Sequence, residues 1–428
     1  MKYLSFLDQF IRCFLNMLRP ERFGFLSPYV KVDRELYSKL KELIYKPDEN
    51  VILGFEAEMA KSIGDGDCVS FASGRMAFYS IMHSLGIGKG DEVALTGFTC
   101  SVMANAVLRI GATPVYVDID ENTLGMSPDD LEMKLSPKTR IVVAQHTFGI
   151  PCEIDKIKEI TSNNHIFLVE DCAISFQSIY KGVKIGDWGD ASIYSTDHTK
   201  PLNSLIGGCV YSKDASLINK IRNTQAKAAS LSIEKQESIL SRYIYERKFE
   251  MLNHNLYPLL FYIDLIKNKI SRKYISPYLL KDSSSIIDDS PTDYAYPSKM
   301  PSMIAFLALQ SLHEYLASVE IRKERLKDLI NIVKEESLVP AQYNNKDVVV
   351  IPLRLPIIGG KNYRSVVDSW LWFLSPIIAT QDNISEFHYK KGQCPTSERI
   401  GHIIGNLPIF LDLKRHGRLV KRIKDCKI

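Results

Sequence analysis

The sequence predicts an α/β protein whose large domain contains a mostly parallel β-sheet. Between about residues 50 and 225, short apolar runs alternate with amphipathic stretches. The amphipathic stretches predict crossover helices, which are the usual connections between parallel strands. The apolar runs that are typical of buried strands lie at 92–95, 113–117, 141–144 and 166–169.

Capping and turn residues mark where several elements begin. Residues 68–78 predict a short strand, a Ser73-Gly74 turn and a helix start. The run 127–130 (Ser-Pro-Asp-Asp) predicts another helix, since serine caps, proline suits the first position and acids face the positive dipole end. Farther along, we expect a charged helix at 232–250, a helix through about residue 334 and a strand-like run at 347–356.

A chain of 428 residues exceeds one ordinary core, so more than one domain is expected. We predict a lead-in with an amphipathic helix at 1–49 and a large α/β domain at 50–225. A helical insertion or connection at 226–290 and a small C-terminal α+β domain at 291–428 complete the prediction. No internal repeat is evident.

Composition excludes several function classes. Hydrophobic residues make up 45% and charged residues 24%, as in a globular protein. A net charge of +4 is too small for this length to indicate nucleic-acid binding. The eight cysteines are scattered with no C-x-x-C pair, which argues against zinc and iron–sulfur sites. We therefore predict no metal centre and a cytoplasmic protein.

Residues 1–18 form an apolar, aromatic-rich stripe at helical spacing. Their charges and short length argue against a membrane span, and the absence of a small-residue cleavage site argues against a secretory signal. Packing on the protein body or a partner subunit is the favoured interpretation. Contact with a membrane surface is the less favoured alternative.

Asp171 and Lys200 are the strongest indication of chemistry. Asp171 closes the apolar run 165–171, and Lys200 follows a second predicted strand at 191–195. A strand-end carboxylate and a lysine supply what pyridoxal phosphate needs, namely an anion for the pyridine nitrogen and an amine for a Schiff base. The alternative is a turn aspartate and a surface lysine.

The predicted turn at Ser73-Gly74 would suit a phosphate. A glycine turn that leads into a helix presents backbone N–H groups and a positive dipole end. Ser195 could add a hydroxyl to the same phosphate. The alternative for Ser73 is an ordinary helix N-cap.

The chain resembles the DegT-type pyridoxal-phosphate-dependent nucleotide-sugar aminotransferases, which have the fold-type I architecture with a large, mostly parallel sheet domain and a smaller C-terminal α+β domain. The similar motifs keep their order and spacing across about residues 50–225. They include Ser73-Gly74, Gly86-Ile87-Gly88-Lys89-Gly90-Asp91, 111–120, His146-Thr147-Phe148-Gly149, Val169-Glu170-Asp171, 186–190, Thr199-Lys200 and Gly207-Gly208.

The resemblance implies roles only where residues match. Lys200 falls on the Schiff-base lysine and Asp171 on the partner of the pyridine nitrogen. The remaining implied cofactor-binding positions are Ser195, which falls on a phosphate ligand, the backbone of Gly74, Arg75 and Met76, which falls on the phosphate cradle, and Cys100.

The chain departs from the family pattern at four places. Cys100 stands where an aromatic usually stacks on the cofactor ring, and Ile174 stands where a glutamine usually contacts the ring oxygen. Leu205-Ile206 replaces Gly-Glu before the paired glycines, and Lys299 replaces an arginine. Lysine cannot reproduce the planar two-point contact of arginine with a carboxylate or phosphate.

The resemblance implies an aminotransferase that uses pyridoxal phosphate to move an amino group from an amino-acid donor, such as glutamate, to a keto-sugar nucleotide. It also implies a homodimer. Two alternatives stay open. One is a pyridoxal-phosphate-dependent sugar dehydratase, although members that replace the lysine with histidine are disfavoured by Lys200. The other is a non-transaminating scaffold or regulatory protein, consistent with Cys100, Ile174 and Ile206.

Overall fold

The computed structural model describes residues 30–250, 294–333, 339–359 and 384–426, together with positions 23, 263, 266–267, 363, 365–367 and 377–378. Within them, a seven-stranded sheet has the order β1-β10-β9-β6-β5-β2-β4, and only β10 runs antiparallel to its neighbours. Its strands are β1 Asp67–Phe71, β2 Glu92–Thr96, β4 Thr113–Val117, β5 Thr139–Gln145, β6 Phe167–Asp171, β9 Ala191–Ser195 and β10 Gly208–Ser212.

Helices connect the strands of this sheet and pack against it. The helix at Gly74–Ser84 contacts β1, β9 and β10, while the helix at Glu49–Ile63 packs on both β1 and the helix at Ser302–Ala317. The helices are α1 Arg34–Tyr45, α2 Glu49–Ile63, α3 Gly74–Ser84, α4 Ser101–Arg109, α5 Pro128–Lys134, α6 Ile154–Asn163, α7 Ala215–Lys227, α8 Ile233–Glu250, α9 Ser302–Ala317, α10 Val319–Ile332, α11 Pro395–Ile403 and α12 Leu413–Asp425.

The strands predicted from apolar runs are confirmed. Most residues of β2, β5 and β6 are buried. These strands therefore lack the alternation of buried and exposed residues that is typical of a strand with one face in solvent. The predicted helix start is also confirmed, because α5 begins at Pro128 and the Ser127 Oγ accepts from the Asp130 N–H at 3.3 Å. Local sequence signals therefore determine much of this region.

A second hydrophobic core involves the C-terminal part of the chain. β12 Arg354–Ile358 and β14 Ile404–Pro408 pair antiparallel, and α10 packs against α12. Their buried apolar residues cluster with Phe98, Ile119 and Phe148 from the loops after the main strands. This second core therefore lies next to the C-terminal ends of the central strands.

Two expectations for the C-terminal half need revision. The single strand-like run at 347–356 is instead β11 Val348–Val349 and β12, which lie in different sheets. Pro352 lies between them and has no N–H to continue a ladder. The predicted helix through about residue 334 is divided at Ser318 into α9 and α10.

Short additional strands complete the described secondary structure. β7 Ile179–Tyr180 pairs with β11 and with β8 Val183–Lys184, and β3 Thr99–Cys100 pairs in parallel with β13 Ile377–Ile378. The predicted helix at 1–18 and most of residues 251–290 of the predicted insertion lie outside the described residues. Among the residues described, no helix combines the length and the apolar character needed to cross a membrane.

Candidate active site

The ends of three neighbouring strands bring the candidate residues to one edge of the sheet. β6 ends at Asp171, which is paired in register with Gln145 at the end of β5. β9, the parallel neighbour of β6 on its other side, ends at Ser195. Ligands of open α/β sheets bind outside the carboxyl ends of such strands. The structure therefore places Asp171 and Ser195 where a ligand is expected.

Asp171 is a buried carboxylate with one backbone donor. Its side-chain Oδ1 accepts from the Ala173 N–H at 3.0 Å, and only 5% of the residue is exposed. Burial raises the pKa of Asp171, while the Ala173 N–H and the positive charge of Lys200 oppose that rise. The lysine charge thus reaches the carboxylate, as expected if both residues serve one site.

Lys200 ends a tight turn that begins where β9 stops. The Lys200 N–H donates to the Asp197 carbonyl oxygen at 2.9 Å. The Asp197 Oδ1 accepts from the Thr199 N–H at 3.2 Å and from the Thr199 Oγ1 at 3.1 Å. Lys200 itself is partly exposed. The turn therefore anchors the lysine main chain next to the strand ends.

The N-terminus of α3 lies against β9 and β10. The Ser73 Oγ accepts from the Met76 N–H at 3.4 Å, so the N-cap interpretation of Ser73 is confirmed. A Cβ added to Gly74 would lie 3.0 Å from the Ser195 Cβ, and a Cβ on Gly208 would lie 2.4 Å from the Gly74 nitrogen. Only glycines allow this close approach, which brings the first helical amide beside the Ser195 side chain.

The remaining positions named by the resemblance have different surroundings. The Arg75 carbonyl accepts from the Tyr296 hydroxyl at 3.2 Å. Cys100 is half-buried immediately before α4, and Ile174 is 8% exposed and has no side-chain group that can hydrogen-bond. Lys299 is bridged to Phe71, the last residue of β1, and is partly exposed.

The sequence interpretation missed a buried hub centred on Glu170. This carboxylate accepts from the N–H groups of Trp188 and Gly189 at 2.7 Å and of Gly186 at 2.8 Å. His146 Nε2 lies 3.0 Å from Glu170 Oε2, and both side chains are fully buried. The hub fixes the loop that leads into β9. The sequence did contain a signal for this hub, because Glu170 is a charged residue inside the apolar run 165–171.

The Cys172 Sγ, a His146 ring nitrogen and a Glu170 carboxylate oxygen all lie within 4.8 Å of one another, so these three residues could be considered as metal ligands. Both Glu170 oxygens already accept hydrogen bonds from protein donors. Burial raises the pKa of Cys172, so its thiol stays protonated. The cluster is therefore best described as a structural hydrogen-bonding hub.

Comparison with known proteins finds a similarity to one family. Residues 45–245 match the model of the DegT/DnrJ/EryC1/StrS aminotransferase family. Over this segment, which is a little less than half of the chain, the sequence is similar to that family. The resemblance stated from the sequence motifs is thus confirmed.

Two curated relatives illustrate the extent of the match. A GDP-perosamine synthase from Escherichia coli O157:H7 is 34% identical over 187 residues, which cover 44% of this chain and 51% of the relative. The spore coat polysaccharide biosynthesis protein SpsC from Bacillus subtilis (strain 168) is 39% identical over 168 residues, covering 39% and 43% respectively. The chain thus spans about half or less of the length of these relatives.

Solved structures confirm the fold over nearly the whole chain. An aminotransferase from Psychrobacter cryohalolentis has a TM-score of 0.68 at 17% identity, covering 93% of this chain and 98% of that one. A putative sugar aminotransferase from Streptococcus pneumoniae in its PLP form has a TM-score of 0.68 at 16% identity, covering 94% and 98%. The chain therefore has the predicted fold-type I architecture.

Proposed function

We propose that this protein is a pyridoxal-phosphate-dependent aminotransferase that moves an amino group from an amino-acid donor to a keto-sugar nucleotide. The observation that carries the proposal is that Asp171 ends β6 and that the turn carrying Lys200 follows β9, the strand next to β6. The charge of Lys200 acts on the buried Asp171 carboxylate there. An amine and a carboxylate in one site match the needs of the pyridine-ring cofactor.

The residues at the edge fit this cofactor. The close approach of Gly74 to Ser195 brings a helix N-terminus and a hydroxyl side chain together, which suits a phosphate group. Asp171 would hold the proton on the pyridine nitrogen, and the Lys200 Nζ would attach the cofactor covalently. When bound, pyridoxal phosphate supplies an electron sink for the substrate carbon.

Lys200 would have a second role, in proton transfer at the substrate. Its amine would carry a proton between the substrate carbon and the cofactor carbon, as a general base and acid. Asp171 would stay ionised beside the protonated ring, because an adjacent cation offsets the cost of burying a carboxylate. Ser195 and the Gly74 N–H would hold the phosphate and fix the ring orientation.

The names of similar proteins support a sugar substrate. The family region resembles a GDP-perosamine synthase and a spore coat polysaccharide biosynthesis protein. Another relative, from Streptomyces fradiae, is named L-glutamine:2-deoxy-scyllo-inosose aminotransferase and is 34% identical over 165 residues. We therefore propose a role in surface-polysaccharide or related sugar biosynthesis, with glutamate as the first donor to test.

The proposal also includes the organisation of the protein. We propose the four-part division at 49/50, 225/226 and 290/291, a homodimer and a cytoplasmic location. Sedimentation at low protein concentration tests the dimer. A protein that is active and monomeric throughout the working range would contradict that part of the proposal.

Amine transfer tests the proposed function. The purified protein is incubated with pyridoxal phosphate, isotope-labelled glutamate and a panel of keto-sugar nucleotides. We expect the label to appear in an amino-sugar nucleotide. Cofactor binding with loss of water from a sugar and no label transfer would instead indicate a dehydratase. Binding without either reaction would indicate a non-transaminating protein.

A further inference from the structure

The C-terminal helix α12 presents mostly positive charge to solvent. Among its 13 residues are six lysines and arginines and one aspartate. Because the whole chain has a net charge of +4, this one helix contains the entire excess of positive charge. Its buried residues are His416, Leu419 and Ile423. The opposite side exposes four cations, which we call the basic stripe: Lys414, Arg418, Lys421 and Lys424.

The four side chains of the basic stripe lie on one face of α12. Their positions are three or four residues apart, so the stripe is about 15 Å long. Like charges at this spacing repel each other and weaken a helix. His416, on the buried side, lies 3.2 Å from Asp328. Within the described part of the chain, however, Lys414, Lys421 and Lys424 form no ion pair that would offset the repulsion.

The neighbouring helix α10, which packs against α12, has a solvent side of mixed charge. Glu320, Lys327 and Asp328 are exposed there, and the Lys323 Nζ lies 2.8 Å from a Glu320 carboxylate oxygen. Mixed signs are sufficient to keep a surface soluble. The helix dipole does not explain α12 either, because Lys414 lies in the first turn, where positive charge is unfavourable. The single sign of the basic stripe therefore indicates an anionic partner.

We propose that the basic stripe of α12 binds the surface of a bilayer that contains anionic phospholipids. Such a surface attracts lysine and arginine side chains without requiring a shaped pocket on the protein. Leu413 precedes the stripe with 69% of its surface exposed, and it can enter the boundary between headgroups and acyl chains. The helix would lie parallel to the membrane. This inference concerns location and does not depend on the reaction that the protein catalyses.

A nucleic acid is the other polyanion that a basic stripe could bind. The exposed face of α12 has no aromatic residue on which a base would stack and no asparagine or glutamine to contact a base edge. The rest of the chain supplies no excess of positive charge to follow a phosphate backbone. An exposed leucine beside the cations instead suits a charged surface with an apolar interior. The bilayer is therefore the better match.

Vesicle flotation of the full chain tests the proposal. Vesicles of phosphatidylglycerol and phosphatidylcholine are compared with vesicles of phosphatidylcholine alone. We expect the protein to float only with the anionic vesicles and to be released in roughly 1 M salt, where the Debye length falls to about 3 Å. Equal flotation with both kinds of vesicle, or flotation that persists at high salt, would overturn the proposal, because apolar contact would then hold the protein.

Two variants with the same loss of charge locate the contact. The stripe variant carries Lys414→Gln, Arg418→Gln, Lys421→Gln and Lys424→Gln. The control variant changes four exposed lysines outside α12 to glutamine, namely Lys89, Lys138, Lys220 and Lys227. Each cation at an anionic surface strengthens binding roughly fivefold, so we expect the stripe variant to bind at least about a hundredfold more weakly. The control variant should keep most of its binding.

Three results would contradict the role of the basic stripe. Equal weakening in both variants would mean that net charge alone matters. Unchanged flotation of the stripe variant would assign the contact to another part of the chain, such as residues 1–18. Binding to a random-sequence DNA duplex that is tighter than binding to anionic vesicles, and that is lost in the stripe variant, would replace the bilayer with nucleic acid. Thermal melting checks that both variants are folded.

Discussion

The end of β6 and the turn that leads to Lys200 each hold a carboxylate, Asp171 and Asp197, and the pKa values of the two carboxylates are shifted in opposite directions. At Asp171, burial prevails and the pKa is raised. At Asp197, donors within the turn prevail and the pKa is lowered to about 2. Hydrogen-bond donors and charges close to a carboxylate therefore determine whether the protein alone can keep that carboxylate ionised. Asp171 requires a cation from a ligand, whereas Asp197 does not.

The largest effect is expected at Lys200, which follows the turn that contains Asp197. Lys200→Ala should abolish covalent attachment of pyridoxal phosphate and reduce amine transfer below detection, because the Lys200 amine is the group proposed to attach the cofactor and to move the substrate proton. Absorption spectroscopy and the isotope assay measure the two losses. Lys213→Ala is the control, since Lys213 forms only a partly exposed ion pair with Asp187. Full covalent attachment of pyridoxal phosphate in Lys200→Ala would contradict the role proposed for Lys200.

Asp171→Asn should lower turnover by about two orders of magnitude or more while the cofactor still binds. A neutral partner cannot hold the proton on the pyridine nitrogen, so the ring becomes a poorer electron acceptor. Steady-state kinetics with quantified bound cofactor give the result. Turnover at the level of the unmodified protein would mean that Asp171 is a turn residue.

The Glu170 hub offers a test of how the edge is held. Glu170→Gln should lower the free energy of unfolding by roughly 3 kcal/mol, because a buried carboxylate that accepts four hydrogen bonds is replaced by an amide that cannot satisfy the same donors. Urea denaturation measures the change. Glu159→Gln, at an exposed position of α6, should leave stability nearly unaltered. Equal effects of the two substitutions would remove the structural role of the hub.

The smallest expected effect is a change in melting temperature, and it distinguishes Asp197 from Asp171 directly. Asp197 has a folded-state pKa below its unfolded value of about 3.9, so its contribution to stability is present above that value and is lost as pH falls towards 2. Asp171 has a raised pKa in the folded state, so its charged form opposes folding at neutral pH. In the cofactor-free protein at neutral pH, Asp197→Asn should lower the melting temperature and Asp171→Asn should leave it unchanged or raise it.

Calorimetry across acidic and neutral pH measures both variants. The deficit of Asp197→Asn relative to the unmodified protein should shrink as the solution becomes acidic. A deficit that is larger for Asp171→Asn than for Asp197→Asn at neutral pH would contradict the charge balance described for the two regions.

Local patterns were sufficient to predict several elements. The strands at 113–117 and 191–195 and the helix that starts at Pro128 follow from apolar runs and capping residues that are adjacent in sequence. The same holds for the helix start at Gly74. These signals are local because strand burial and helix capping involve neighbouring residues.

Other contacts depend on the completed fold and could not be predicted. Asp118 accepts from the N–H groups of Thr396 and Ser397 at 2.8 Å and so caps α11 from 278 and 279 residues away. The donors to Glu170 likewise come from a loop that only folding brings beneath β6. The sequence contains the acceptor in each case, but the location of the donor is a property of the tertiary structure.

Reductive trapping tests the central claim most directly. The protein is incubated with pyridoxal phosphate and treated with borohydride, which makes an amine-linked cofactor permanent, and peptide mass spectrometry then locates the added mass. The account predicts that the mass lies on Lys200 and is lost in Lys200→Ala. Trapping on a different lysine, or none in a folded protein at saturating cofactor, would contradict it.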